Sequence, residues 1–193
     1  ILPLDVESYI FEDQKLYWEW SLKNAYLPWS EISKDLLSER MPGSFLFFEF
    51  LQWITNKSLF LILLFQSILD SFTCVVIYKC VYLINKKYSF YTGLFASFSP
   101  LLIIISSQIL SDTLFLFTFS LSLLYLLKYS KPNSSQYHIY LSGLMLGISC
   151  FIRAAAFPLI FLSLPIIYFL IKSHKLNNIK TTLVLLIFFV ISL

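Results

Sequence analysis

Charge is scarce in this chain, and negative charge nearly disappears after its first quarter. Only 13% of the 193 residues are charged, against 58% hydrophobic. Nine of the eleven Asp and Glu lie at or before Glu49, and beyond Lys57 only Asp70 and Asp112 remain. A water-soluble domain of this size cannot hide so much apolar surface, so the solvent around most of the chain is lipid. The net charge of +3 is small and dispersed, which argues against a nucleic-acid partner. The three cysteines, Cys74, Cys80 and Cys150, sit inside apolar runs without CxxC or metal-ligand spacing, the pattern of buried inert thiols. There is no Gly-rich phosphate loop, no HExxH and no Ser-His-Asp arrangement, so nothing in the pattern points to a metal site. No run has the form of a removable signal peptide. The chain opens on Ile1 and closes inside the apolar run Thr181–Leu193, which reads as the N-terminal fragment of a larger multi-pass protein, or one trimmed at both ends.

What is present falls into two parts, 1–57 and 58–193. The first is an acidic, aromatic loop with five basic and nine acidic residues, and it holds all four tryptophans, Trp18, Trp20, Trp29 and Trp53. Tryptophan favours the headgroup layer, so this loop is expected to rest on the bilayer. Two stretches have the pattern of interfacial amphipathic helices, Asp13–Tyr26 and Pro42–Ile54. The second part is a series of apolar runs: Ser58–Ile84, Tyr88–Leu110 with Pro100 inside it, Thr113–Leu127, Tyr137–Ile152, Ala154–Ile171 and Thr181–Leu193. The expected fold is all-α, a polytopic membrane helical bundle. Several runs are short, since about 15 residues at 1.5 Å each cover only about 22 Å of a core near 30 Å. Short helices are tolerated where their ends are buried in protein or line a cavity.

Lysine orients the bundle. Basic short loops stay on the cytoplasmic face. If the turn Asn85-Lys86-Lys87 is inside, so are Lys128–Lys131 and Lys172–Lys180, and the acidic loop, Asp112 and Arg153 then share the outer side. One assignment satisfies every basic loop.

Few polar residues remain to carry chemistry. Asp112 stands between two apolar runs in Ser111-Asp112-Thr113, where an ionisable group must be solvated or paired; it reads as a helix cap, a functional carboxylate, or both. Arg153 is the sole arginine beyond Arg40, at an outer hinge where lysine is otherwise used. A guanidinium fork suits phosphate oxygens, and the alternatives are snorkelling to headgroups or pairing with Asp112. Arg40 has the same choice. Asp13, with Tyr17 four positions later, could accept a proton from an acceptor hydroxyl, although an acid among nine neighbours is more often solvated surface charge. Asp70 must face inward, and Gln66 one turn earlier would suffice as its partner. Asn56-Lys57-Ser58 fits a glycosylation sequon.

The order of these features resembles the polytopic GT-C glycosyltransferases, in the branch of the protein O-mannosyltransferases and lipid A aminoarabinose transferases. Asp13-Gln14-Lys15-Leu16-Tyr17 is similar to that family's first-loop Asp with Tyr at i+4, and Arg40-Met41-Pro42-Gly43 to its Arg-Pro-Pro-Gly turn. Gln66–Asp70 resembles the glutamine-led start of the next span. Ser99-Pro100 and Leu110-Ser111-Asp112-Thr113-Leu114-Phe115 resemble its Ser-Pro and Leu-Ser-Glu-Thr-Leu-Phe pair, and Gly143–Gly147 with Ile152-Arg153 resembles its Gly-x3-Gly and Thr-Arg ending. Asp replaces the usual Glu at Asp112, Met replaces a proline at Met41, and Asp5 is an alternative first-loop acid.

The resemblance implies transfer of a sugar from a polyprenyl-phosphate donor to a lipid, glycan or protein acceptor on the periplasmic or luminal face. It implies a bacterial inner membrane more than an endoplasmic reticulum. Asp13 would be the general base, with Tyr17 and Asp5 in support. Arg153 and Arg40 would hold the donor phosphate, and Asp112 would orient a substrate or those arginines. No cofactor is implied, with a divalent cation left open. The rival readings are a transporter or lipid-linked sugar flippase, for which only Asp70 offers a mid-membrane charge, and a non-catalytic subunit of a membrane complex.

Overall fold

The computed structural model describes residues 14–19, 41–131 and 134–154. Those residues are helical without a strand, an all-α membrane fragment. Asp5, Asp13, Arg40 and the apolar runs 155–171 and 181–193 lie outside the described residues.

Residues 14–19 form a helical segment. Six helices follow: α1 Pro42–Ile54, α2 Leu59–Ile84, α3 Lys86–Ser97, α4 Pro100–Ser106, α5 Asp112–Tyr129 and α6 Tyr137–Ile152. Their boundaries follow from local chemistry. Pro42 starts α1, where its missing N–H costs nothing. The helix ends with Asn56 and Lys57 at φ 48° and 63°, and the Lys57 N–H donates to Gln52 O at 2.9 Å, closing the last turn back on itself. Asn56 and Lys57 are exposed there. Asn85 both ends α2 and caps α3, its Oδ1 accepting the Lys87 N–H at 3.0 Å.

Two helices, α2 and α5, are long and apolar enough to cross a membrane. At 1.5 Å per residue they run about 39 Å and about 27 Å. The run expected as one span over Tyr88–Leu110 is bent instead. Pro100 forbids helical geometry at Ser99, which is extended at φ −65° and ψ 116°, and α3 meets α4 at 50°. Together they make one broken span. The apolar helix α6 is shorter, about 24 Å long.

The bundle closes through small polar side chains. Ser122 on α5 and Ser142 on α6 donate to each other's backbone carbonyls, both at 2.9 Å, in a buried reciprocal pair. Between lipid-embedded helices such close contacts replace the hydrophobic effect as the adhesive. Other hydroxyls are satisfied within their own helices: Thr73 donates to Leu69 O and Ser120 to Leu116 O. A Cβ placed on Gly147 would meet nothing within 4 Å. Gly43 is the tight position, where a Cβ would lie 2.7 Å from the Phe151 carbonyl oxygen at the end of α6.

Pro42–Ile54 is helical as expected, and it is two-sided. Phe45, Phe48 and Leu51 are buried in one cluster with Tyr17, Leu59, Ile62 and Ile109, while Phe50, Trp53 and Ile54 are exposed. The cluster joins the acidic loop to the first span. At the other end, Lys131 Nζ donates to Leu83 O beside the Lys86-Lys87 turn. Lys86, Lys87 and Lys128 sit 5.2–5.8 Å from the centroids of Tyr82, Tyr88 and Tyr125. These four lysines therefore gather at one end of the bundle.

Gly147→Ala is expected to raise stability by about 0.5–1 kcal/mol, the usual gain for a helical glycine with room beside it. Gly43→Ala is expected to lower it by about 1–3 kcal/mol, because the Phe151 backbone as well as its ring blocks the methyl. Unfolding midpoints in detergent micelles compare the two directly.

Candidate active site

Asp112 is the first residue of α5 and Arg153 the cap at the end of α6. The two helices run antiparallel in contact, so these residues arrive at the same end of the bundle. Arg153 Nη1 pairs with Asp112 Oδ1. Each charge also suits its helix, a carboxylate at a positive N-terminus and a guanidinium at a negative C-terminus. The pair is not sealed: the Arg153 side chain is 40% exposed and that of Asp112 26%. A guanidinium carries five N–H groups, so donors remain on Arg153 after Asp112 is satisfied.

The capping reading of this turn is corrected by its geometry. Ser111 holds the cap position of α5 without a side-chain cap bond. Its hydroxyl instead lies 3.2 Å from the Tyr17 hydroxyl, both buried. Tyr17 is held by Phe45 and Phe48 of α1, with ring centroids 5.4 and 5.6 Å away. One residue earlier, Leu110 O accepts from Gln66 Nε2 of α2 at 3.1 Å. The expected Gln66–Asp70 pairing therefore does not occur: Gln66 is fully buried and turned to the Leu110–Asp112 turn. On the far side, Phe151 beside Arg153 lies against Gly43 at the start of α1.

The turn bearing Asp112 is thus gripped from α2 and from the 14–19 segment, while Arg153 is positioned by α1 through Phe151. Arg153 pairs with Asp112, the alternative that the sequence left beside phosphate binding, and Tyr17 meets the neighbouring Ser111. Asp13 precedes the described segment, and Arg40 precedes Met41, so neither enters the geometry. Ser111 was not anticipated as the partner of Tyr17. Gln66 stood out in the sequence but with the wrong partner, since its helical neighbour at i+4 is the obvious candidate in one dimension. The side-chain oxygens of Gln14, Gln52 and Gln66 are buried and accept no hydrogen bond. Among the described residues no three His, Cys, Asp or Glu side chains could hold a metal ion together.

A helical membrane fragment whose Asp112–Arg153 pair stands partly exposed at the end opposite Lys86, Lys87 and Lys131 fits an integral membrane enzyme. Residues 39–193 match the dolichyl-phosphate-mannose-protein mannosyltransferase family, and the chain belongs to that family. No curated protein and no solved structure matches it. Arg40, Asp112 and Arg153 fall inside the matched stretch, whereas Asp13 and Tyr17 precede it.

Tyr17→Phe and Ser111→Ala should each lower stability by about 1 kcal/mol, the net worth of a buried hydrogen bond. The double variant should cost clearly less than the sum of the two, because each single change breaks the same bond. Chemical unfolding of the four proteins in micelles gives the cycle.

Proposed function

We propose that this protein transfers a single sugar from a polyprenyl-phosphate donor to an acceptor on the non-cytoplasmic face of a membrane. Membership of a mannosyltransferase family supports glycosyl transfer. The observation that carries the finer reading is the Asp112–Arg153 pair, half exposed at the bundle end opposite Lys86, Lys87 and Lys131. If basic loops stay cytoplasmic, that end faces the periplasm or lumen. A lipid-linked donor lies with its phosphate at the headgroup layer, the depth of the ends of α5 and α6.

In this reading Arg153 binds the donor phosphate through the N–H groups that Asp112 leaves, and neutralises charge as the sugar–phosphate bond breaks. Asp112 orients that guanidinium and keeps it from folding away to bulk headgroups. Arg40 adds a second cation to the phosphate, and Asp13 takes the proton from the acceptor hydroxyl or amine, with Tyr17 and Asp5 in support. The acceptor attacks the face opposite the leaving phosphate, so the configuration at the sugar inverts. A bacterial inner membrane is the favoured location.

The test is transfer of radiolabelled sugar from polyprenyl-phosphate donors by the full-length protein in vesicles. Asp13→Asn is expected to lower the rate by about 10²–10⁴-fold, the range for a missing general base. Activity retained in Asp13→Asn removes that assignment. Arg153→Lys keeps the charge but loses the fork, and is expected to raise KM for the donor more than it lowers kcat. Asp112→Asn should show the same donor-side defect in weaker form. Transfer unaffected by either of the last two changes would overturn the role given to the pair.

A further inference from the structure

The lysine end of the bundle plays no part in the site above, and its charge has no answer nearby. Lys86 and Lys87 open α3, Lys128 lies in the last turn of α5, and Lys131 follows just after it. Lys131 Nζ reaches Leu83 O, so the lysines of α3 and α5 meet over the end of α2. None of the four makes an ion pair among the described residues. The carboxylates among those residues are Glu19, Glu49, Asp70 and Asp112. Glu19 pairs with Lys15, and Glu49 belongs to α1. Asp112 is at the opposite end, and Asp70 lies about 21 Å before the end of α2. Helix poles do not consume the charge either. α2 and α5 end here while α3 and α6 begin here, so two negative and two positive poles of about half a charge each cancel. Four ammonium charges are left over.

Their depth decides what kind of anion meets them. Ile84, Tyr88, Phe90 and Tyr91 are exposed beside them, on the lipid-facing surface of α2 and α3. Lys86, Lys87 and Lys128 stand against the rings of Tyr82, Tyr88 and Tyr125, and tyrosine at the end of an apolar helix marks the headgroup layer. The ammonium groups are therefore held where apolar surface gives way to water, the depth of a phospholipid phosphate. Contact with a ring fixes an ammonium group through its charge and leaves its N–H groups to other acceptors. Lys131 likewise keeps two of its three N–H groups after serving Leu83 O. Each of the four retains donors for charge-assisted bonds to phosphate oxygens.

We propose that this end of the bundle binds the headgroup of an anionic phospholipid from the surrounding leaflet. The phosphate sits over the end of α2, with Lys86 and Lys87 on one side and Lys128 and Lys131 on the other. A zwitterionic lipid brings its own ammonium group to the place and gains little there. A headgroup of net negative charge neutralises lysines that nothing described on the chain answers, at about five-fold in affinity for each lysine engaged. Soluble phosphate carries the same oxygens but lacks the acyl chains that Ile84, Phe90 and Tyr91 face. The surface lies at the end away from Asp112 and Arg153, so the proposal is independent of the transfer reaction.

The experiment places the full chain in phosphatidylcholine bilayers with a trace of chain-spin-labelled phosphatidylglycerol or phosphatidylcholine. The motionally restricted fraction in the electron spin resonance spectrum gives the relative association of each lipid with the protein. Phosphatidylglycerol is expected to exceed phosphatidylcholine by about two-fold or more, because one favoured seat is averaged over the whole lipid shell. Changing all four residues, Lys86→Gln, Lys87→Gln, Lys128→Gln and Lys131→Gln, should remove most of that excess, whereas Lys57→Gln at the opposite end should leave it. Equal association of the two lipids overturns the proposal, as does an excess that survives the fourfold change or falls as far in Lys57→Gln. An excess abolished by millimolar inorganic phosphate overturns the lipid as its source. If the fourfold variant does not insert, the paired variants Lys86→Gln/Lys87→Gln and Lys128→Gln/Lys131→Gln decide. Each should lose part of the excess, and a loss in neither overturns the proposal.

Discussion

A polar group inside a bilayer has no water to fall back on, and this constraint shapes each feature of the bundle. Backbone groups are satisfied by making everything helical. Hydroxyls of Thr73, Ser120 and Thr118 turn back on their own helices, and those of Ser122 and Ser142 reach across to stitch α5 to α6. Where a proline breaks the pattern, at Ser99-Pro100, the span bends by 50° rather than ending. The same rule explains the lysines, which stand at helix ends over tyrosine rings with their ammonium groups at the polar layer.

The candidate site is this rule applied at one end. Asp112 and Arg153 lie on different helices, and each sits at the pole that favours its charge. Their pairing satisfies both while leaving guanidinium donors on the open side. Holding that pair still requires fixing a turn outside any helix. Gln66, buried in α2, ties down Leu110 O, and Tyr17 from the first loop ties down Ser111. The first loop is therefore structural: Tyr17, Phe45 and Phe48 share a core with α2, and Gly43 permits the close approach to Phe151 at the end of α6. Asp70 is the exception, a carboxylate within α2 that makes no ion pair among the described residues.

Much of the fold was legible in the chain. Apolar run lengths placed α2, α5 and α6 within a few residues, and Pro42 marked a helix start that the structure keeps, whereas Lys86 and Lys87, read as a turn, are the first residues of α3. Counting spans between lysine turns put Asp112 and Arg153 at a common end, since parity needs no knowledge of packing. The bend in α3–α4 was visible only as Pro100, because a proline can kink, end or merely tilt a helix depending on what surrounds it. The close contacts made by Ser122, Ser142 and Gly43 had no signal in the sequence, because they depend on how the helices are rotated against one another.

Composition and run length determined by themselves that this is an integral membrane protein of apolar helices, because that property depends only on what each segment does in lipid. Which side chains meet was decided by tertiary structure alone. Gln66 has Asp70 one turn away in the sequence and bonds Leu110 from another segment; Ser111 looks like a cap and serves Tyr17, 94 residues earlier. A helical period ranks neighbours on one cylinder, whereas partners across helices depend on rotation and depth, which no single segment encodes.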